Sequence, residues 1–267
     1  MRYLALVRYV GTKFYGFQVQ PNRRTVQGEL NRATEALFGT PCFITGCSRT
    51  DSGVHAEQFC LLIEPQDEAK AAPVPPENLP RAIAVHMPPD LALYAAIEAP
   101  CGFHPRHHVK EKEYRYDIWN GPTANPFYAD RAWHYPRYLD DAAIAEMNRA
   151  AAYLVGRRDF HAFMAKGSQI KDTTRTVFSC YCKREGELVR MYIRGDGFLY
   201  NMVRIIMGTL IDVSQKRILP ENIPAILNGN RRVEAGMTAP ACGLHLSRVE
   251  YPEGLCDELY RQIYQHE

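Results

Sequence analysis

The stretch from Phe198 to Val213 constrains the fold more than any other part of the chain. Phe198, Leu199, Met202, Val203, Ile205, Ile206, Met207, Leu210 and Ile211 leave almost no polar face at helical spacing, so a helix here must be buried on nearly every side. The rest of the chain has to supply layers around it. At 267 residues, against a prior of roughly 150 per domain, two domains or one large one are available for that purpose. Arg204 sits in the middle of this apolar run. A guanidinium cannot shed its proton, so drawing it inward demands an acid or phosphate partner, since an unpaired buried charge is strongly destabilising.

The remaining elements mix strands and helices without a regular β-α-β alternation. Strands are expected at Arg2 to Val10, Cys42 to Cys47, Gln58 to Glu64, Leu91 to Ile97, Tyr114 to Ile118 and Leu244 to Tyr251, with a hairpin of Thr176 to Cys182 and Leu188 to Arg194 around Glu185-Gly186. Thr25 reads as the N-cap of a helix with Val26, Leu30, Ala33 and Leu37 on one face and Gly39 as its stop. Further helices are expected at Arg81 to His86, Asp140 to Val155 and Leu255 to Tyr264. The class is α+β, with antiparallel sheets packed by helices in two halves, 1–106 and 107–267.

Composition narrows the class. With 46% hydrophobic and 23% charged residues, and 18 Gly and 18 Pro dispersed, the chain is neither disordered, collagen-like nor a coiled coil. No apolar run reaches the roughly 18 residues of a membrane span, and Arg8 interrupts the N-terminal apolar stretch too early for a signal peptide. A cytoplasmic protein is expected, and the eight cysteines read as reduced thiols. Cys101-x-x-His104-x-x-His107-His108 has metal-ligand residue types but no second cluster to complete a tetrahedral site, so no metal is expected. A net charge of +2 says nothing about partners. The basic residues do form local clusters, at Arg23-Arg24, Arg106 to Lys112, Arg157-Arg158, Lys166 to Arg175 and Arg231-Arg232.

Asp51 is the candidate partner for Arg204. It lies in the polar turn Ser48-Arg49-Thr50-Asp51-Ser52-Gly53-Val54-His55 between two apolar strands, where Asp and Gly ordinarily serve turn geometry. A carboxylate held at a strand end beside an arginine would stay ionised, as a nucleophile or general base must. Spacing alone does not choose between these roles. Ser52 with His55 does not make a hydrolase triad, because the turn is no nucleophile elbow.

Arg49-Thr50-Asp51-Ser52-Gly53-Val54-His55-Ala56 resembles the G-R-T-D-[AS]-G-V-H-A signature of the TruA family of tRNA pseudouridine synthases. The same family's segments are matched, in order, by Tyr15-Gly16-Phe17-Gln18-x-Gln20, Thr25-Val26-Gln27, Phe103-His104-Pro105-Arg106, Glu113-Tyr114-Arg115-Tyr116, Asp159-Phe160 with Phe163, Phe198-x-Tyr200-x-Met202-Val203-Arg204 and Gly243-Leu244. Departures are Val10 for the usual Asp, Phe17 for Trp and Pro105 for Ala.

The resemblance implies two ferredoxin-like α+β halves forming a cleft, a homodimer, and a tRNA substrate modified at uridines 38, 39 and 40 of the anticodon arm without any cofactor. It implies Asp51 as the catalytic aspartate, Tyr114 packed on the target base, and Arg204 paired with Asp51. Arg49, His55, Arg106 and Leu244 are the implied substrate contacts. The same reaction on another RNA or on fewer sites, and an inactive RNA-binding homologue, are the alternatives. Intact Asp51, Tyr114 and Arg204 argue against the last.

Overall fold

The computed structural model describes residues 1–168 and 170–264. The chain forms two compact units, Met1–Lys110 together with the chain from Leu246 onward, and Glu111–His245. The boundary at 106/107 read from sequence compares with 110/111 here, and the last strand from Leu246 on belongs with the final helix to the first unit.

The first unit runs β1 (Tyr3–Tyr9), α1 (Val26–Phe38), β2 (Cys42–Gly46), β3 (His55–Pro65), α2 (Leu79–Ala84) and β4 (Leu91–Glu98). This is a β-α-β-β-α-β run of ferredoxin-like kind. Its strands pair antiparallel in the order β4-β1-β3, with β2 along the other edge of β3. β1 and β3 are buried along most of their length. The Thr25 side chain accepts the Gly28 N–H at the start of α1, and Gly39 ends it in the left-handed region at φ 73°, a conformation that glycine adopts without strain. The buried face holds Val26, Leu30, Ala33, Thr34 and Phe38. Phe38, rather than the expected Leu37, completes it by stacking on Tyr3 at 5.4 Å.

The second unit runs β5 (Glu111–Trp119), β6 (Trp133–His134), α3 (Asp141–Ala152), β7 (Gly156–Asp159), β8 (Thr174–Glu185), β9 (Leu188–Gly195), α4 (Met202–Ser214) and α5 (Ile223–Gly229). Strands β5-β9-β8-β7 pair antiparallel, while the two-residue β6 lies parallel to β5. Asp140 caps α3 by accepting the Ala143 N–H, and α3 packs on β8 and α4. The apolar α4 is buried as its composition requires, from Met202 and Val203 through Val213. It starts at Met202 rather than Phe198 because Asn201 adopts a left-handed conformation, φ 59°, which a helix cannot contain. Three elements lie outside those expected: the two-residue β6, the polar strand β7 with exposed Arg157, Arg158 and Asp159, and α5, a short helix with Pro224 in its first turn and Ile223, Ile226 and Leu227 buried. The chain closes with β10 (Leu244–Glu250) and α6 (Asp257–Tyr264).

Candidate active site

In the first unit the structure knits together three motifs that are far apart in sequence. The Thr50 carbonyl accepts the Phe17 N–H at 3.1 Å, the Gly53 N–H reaches the Phe14 carbonyl at 3.2 Å, and the Gly16 and Phe17 carbonyls accept the Val26 and Gln27 N–H groups at 3.1 and 2.9 Å. Within the loop, the Val54 N–H closes on the Asp51 carbonyl at 3.2 Å. The Asp51 turn therefore rests on the 14–17 segment, which rests in turn on the start of α1. Glycine is required at two of these approaches. A Cβ on Gly16, whose φ is +82°, would lie 2.7 Å from the Thr50 carbonyl oxygen, and one on Gly11 would lie 2.0 Å from that of Val54.

Side chains fix both ends of the loop. The Tyr9 hydroxyl and Thr50 Oγ1 are 2.7 Å apart in a buried hydrogen bond. His55 is buried, and its Nδ1 accepts the Gly11 N–H at 2.9 Å, so this implied substrate contact is tied to the shape of the loop. The Ser52 hydroxyl donates to the Phe14 carbonyl at 3.3 Å. Asp51 lies half-buried between these anchors. The 14–24 segment is pinned by Arg24, which grips both oxygens of Asp90 at 2.7 Å and reaches Glu29 at 3.0 Å while lying over the Phe14 ring at 4.2 Å.

Arg49 and Arg106 share one recess of about 120 Å³ with Phe17, Gln18, Gln27 and Thr45. Gln27 holds its wall together, donating to the Ile44 carbonyl at 2.9 Å and accepting the Val19 N–H at 3.0 Å. Gly46 leaves room for the Phe17 ring, which would press on any Cβ there at 2.6 Å. Arg106 is carried by a short turn: Phe103 packs edge-on against Tyr251 at 5.1 Å, and the Tyr251 hydroxyl donates to the Pro105 carbonyl at 2.7 Å. Burial first, and the Arg49 charge second, lower the Arg106 guanidinium from its ordinary value. Neither arginine has a carboxylate partner among the described residues. Two facing cations without an acid make an anion-attracting recess. In the same turn, His104 Nδ1 is within 3.2 Å of the Arg106 N–H and 3.4 Å of the His107 N–H, and His108 Nδ1 accepts the His104 N–H at 3.1 Å. These nitrogens serve the turn.

The second unit carries Tyr114, Arg204 and Leu244. Tyr114, buried on β5, meets the edge of Phe198 at 5.2 Å. Arg204 is half-buried rather than drawn fully inside, and its near partners are uncharged: Nε donates to the Ala239 carbonyl and Nη1 to Asn201 Oδ1, both at 2.7 Å. Two glycines make this geometry. A Cβ on Gly208 would lie 1.9 Å from the Met237 carbonyl oxygen, and one on Gly236 would lie 2.6 Å from Thr209 N, so the 235–239 segment lies directly on α4. The Gly236 N–H bonds Thr209 Oγ1 at 2.9 Å, and the Ala239 N–H bonds the Arg204 carbonyl at 3.1 Å. Nη2 of Arg204 is left with no hydrogen bond among the described residues. Leu244 opens β10 just after Gly243, where a Cβ would meet the Tyr116 ring at 2.6 Å.

Sequence reasoning did not find Tyr9, Asp90, Gly208 or Gly236, which brace these groups, and quoted Gln27 only within the Thr25-Val26-Gln27 segment. A glycine inside an otherwise apolar helix, as at 208, is the one local signal that could have been read as a close backbone approach.

Residues 150–252 match a family described as tRNA pseudouridine synthase. The tRNA pseudouridine synthase A of Caldicellulosiruptor bescii is 36% identical over 248 residues, spanning 93% of this chain and 98% of the relative. That of Ruminiclostridium cellulolyticum is 39% identical over 247 residues, 92% and 97% of the two chains. That of Listeria innocua is 39% identical over 253 residues, 94% and 99%. Likeness of this extent sets the class, the pseudouridine synthases, which are isomerases. Within that class the chain belongs to the tRNA pseudouridine synthase A family.

Proposed function

We propose that this chain converts uridine to pseudouridine in the anticodon arm of tRNA, at positions 38, 39 and 40, with Asp51 as its catalytic carboxylate and without a cofactor. The N1–C1′ bond of the target uridine breaks, the uracil turns, and C5 bonds to C1′. C5 loses its proton and N1 gains one, so the product has the composition of the substrate. Asp51 acts either by attacking the nucleotide or by removing a ribose proton. Tyr114 packs on the base, and its hydroxyl assists the proton transfer at C5. Arg204 keeps Asp51 ionised.

The observation that carries this reading is the shared anchoring of the Asp51 turn, the 14–17 segment and the start of α1, three motif segments of one family that support a single loop. Arg49 and Arg106 suit a backbone phosphate of a nucleotide swung out of its stem, a movement costing a few kcal/mol that binding must supply. His55 supports the loop from beneath, and Leu244 lines the base pocket. The protein acts as a homodimer in the cytoplasm, where its substrate is found.

The test uses unmodified tRNA bearing tritium at uridine C5. Wild-type protein releases tritium to water and Asp51→Asn does not. Absence of release from any tRNA refutes the enzymatic reading, and unchanged release by Asp51→Asn removes that residue from its role.

A further inference from the structure

We propose that Tyr9 is a positioning residue for the reaction, acting through Thr50 on Asp51; the inference rests on the function just assigned to Asp51. Tyr9 ends β1, and its ring is fixed between Phe14 and Phe59 at centroid distances of 6.2 and 5.9 Å. With both Tyr9 and Thr50 buried, the 2.7 Å bond between their hydroxyls is shielded from competing water. A buried pair of this kind specifies geometry strongly. It joins the rigid sheet to the residue that immediately precedes Asp51.

The other contacts on Thr50 are made by backbone. Its carbonyl accepts the Phe17 N–H at 3.1 Å and stands against Gly16. These contacts hold the peptide from one side, and the buried side-chain hydroxyl bond ties it to the sheet from the other. A displacement of about 1 Å in a catalytic group costs up to roughly a hundredfold in rate, whereas the net contribution of one neutral hydrogen bond to folding is the smaller effect. The pair is therefore expected to be worth more to turnover than to folding.

Steady-state tritium release separates the two roles in the wild type, Tyr9→Phe, Thr50→Val, Thr50→Ser and the Tyr9→Phe/Thr50→Val double variant, each assayed well below its own Tm. Tyr9→Phe and Thr50→Val are expected to lower kcat roughly ten- to hundredfold with KM for tRNA within about twofold. Thr50→Ser, which keeps the hydroxyl, is expected to restore most of the rate, and the double variant to be no slower than the slower single one, as for two ends of one bond. An active wild type whose Tyr9→Phe variant keeps its kcat overturns this inference alone. So does a loss that moves KM as much as kcat and is not relieved in Thr50→Ser, which would make the pair merely structural. A wild type that releases no tritium overturns the functional reading and this inference with it.

Discussion

Gly11→Ala tests how the Asp51 loop is seated. The added Cβ would stand 2.0 Å from the Val54 carbonyl oxygen and 2.5 Å from its carbon, where ordinary contact begins near 3.4 Å. Both atoms are backbone, so no side chain can swing away and the Val54 peptide must retreat by more than an ångström. Overpacking of this kind costs about 1–3 kcal/mol. The retreat also stretches the 2.9 Å bond from the Gly11 N–H to His55 Nδ1, and a buried polar group left unpaired adds about 1–3 kcal/mol. A total near 3 kcal/mol corresponds to a Tm lower by roughly 6–12 °C for a chain of this size. Val54 also donates to the Asp51 carbonyl, so its displacement opens the catalytic turn and tritium release should fall more than tenfold at temperatures where the variant is folded. Gly39→Ala is the control: it adds left-handed strain at φ +73° with no atom within 4 Å, costs about 1 kcal/mol, and leaves turnover intact. Calorimetry and tritium release read both variants. A Gly11→Ala protein melting within about 2 °C of wild type and turning over normally would refute this account of the loop.

Three further outcomes are expected. Replacing Arg49 or Arg106 by Gln should weaken tRNA binding and reduce the slope of log affinity against log salt by about 0.7–1 each; filter binding across a salt series with an unchanged slope would take the recess out of the RNA contact. Arg204→Leu should abolish turnover while tRNA binding and near-wild-type melting survive, because its partners are a carbonyl and a carboxamide rather than a buried acid; loss of folding would return Arg204 to a structural role. Acid stability should depend on the Arg24 clamp. The hydrogen bonds from Arg24 hold the Asp90 carboxyl below its ordinary value, and in Glu29 the bonds from Arg32 and Arg24 outweigh an opposing effect of burial. This stabilisation is complete above the unfolded carboxylate values near pH 4 and is lost as pH falls through the lower folded values. Asp90→Asn should accordingly flatten the Tm decline below about pH 4, which melting curves from pH 2 to 6 would register.

What the sequence disclosed follows a physical line. The α1 boundaries were legible because a Thr cap and a Gly stop are local signals, and α4 was legible because its burial is written in composition. The start of α4 was masked by the apolar run, although Asn201 is of the residue type that most readily takes the left-handed turn found there. The location of Asp51 in a polar turn was plain, but its support was not. The Tyr9 to Thr50, Gly11 to His55 and Arg24 to Asp90 contacts join residues 41, 44 and 66 positions apart, and no periodicity pairs positions at such separations. The apolar run around Arg204 asks for an acid partner and carries no sign that a chain segment returning over Gly208 supplies a carbonyl at that height, which lowers the demand for one.

The three departures from the family pattern fall where the structure uses backbone or leaves room. Pro105 replaces Ala at a position whose contact is its carbonyl, accepting the Tyr251 hydroxyl; proline keeps the carbonyl and loses only an N–H. Phe17 replaces Trp where the ring stacks on Phe59 at 4.6 Å and presses over Gly46, so a smaller ring keeps the stack and relaxes the crowding. Val10 replaces Asp at an exposed site, and its N–H still donates to the Asp90 carbonyl at 3.0 Å, a bond any residue but proline can make. At Val10 and Phe17 the substitution removes a side-chain group and at Pro105 a backbone N–H, and each position keeps a main-chain contact. The Asp51 loop, which leans on the Phe17 N–H through the Thr50 carbonyl, can therefore stay in place while the walls of the recess vary.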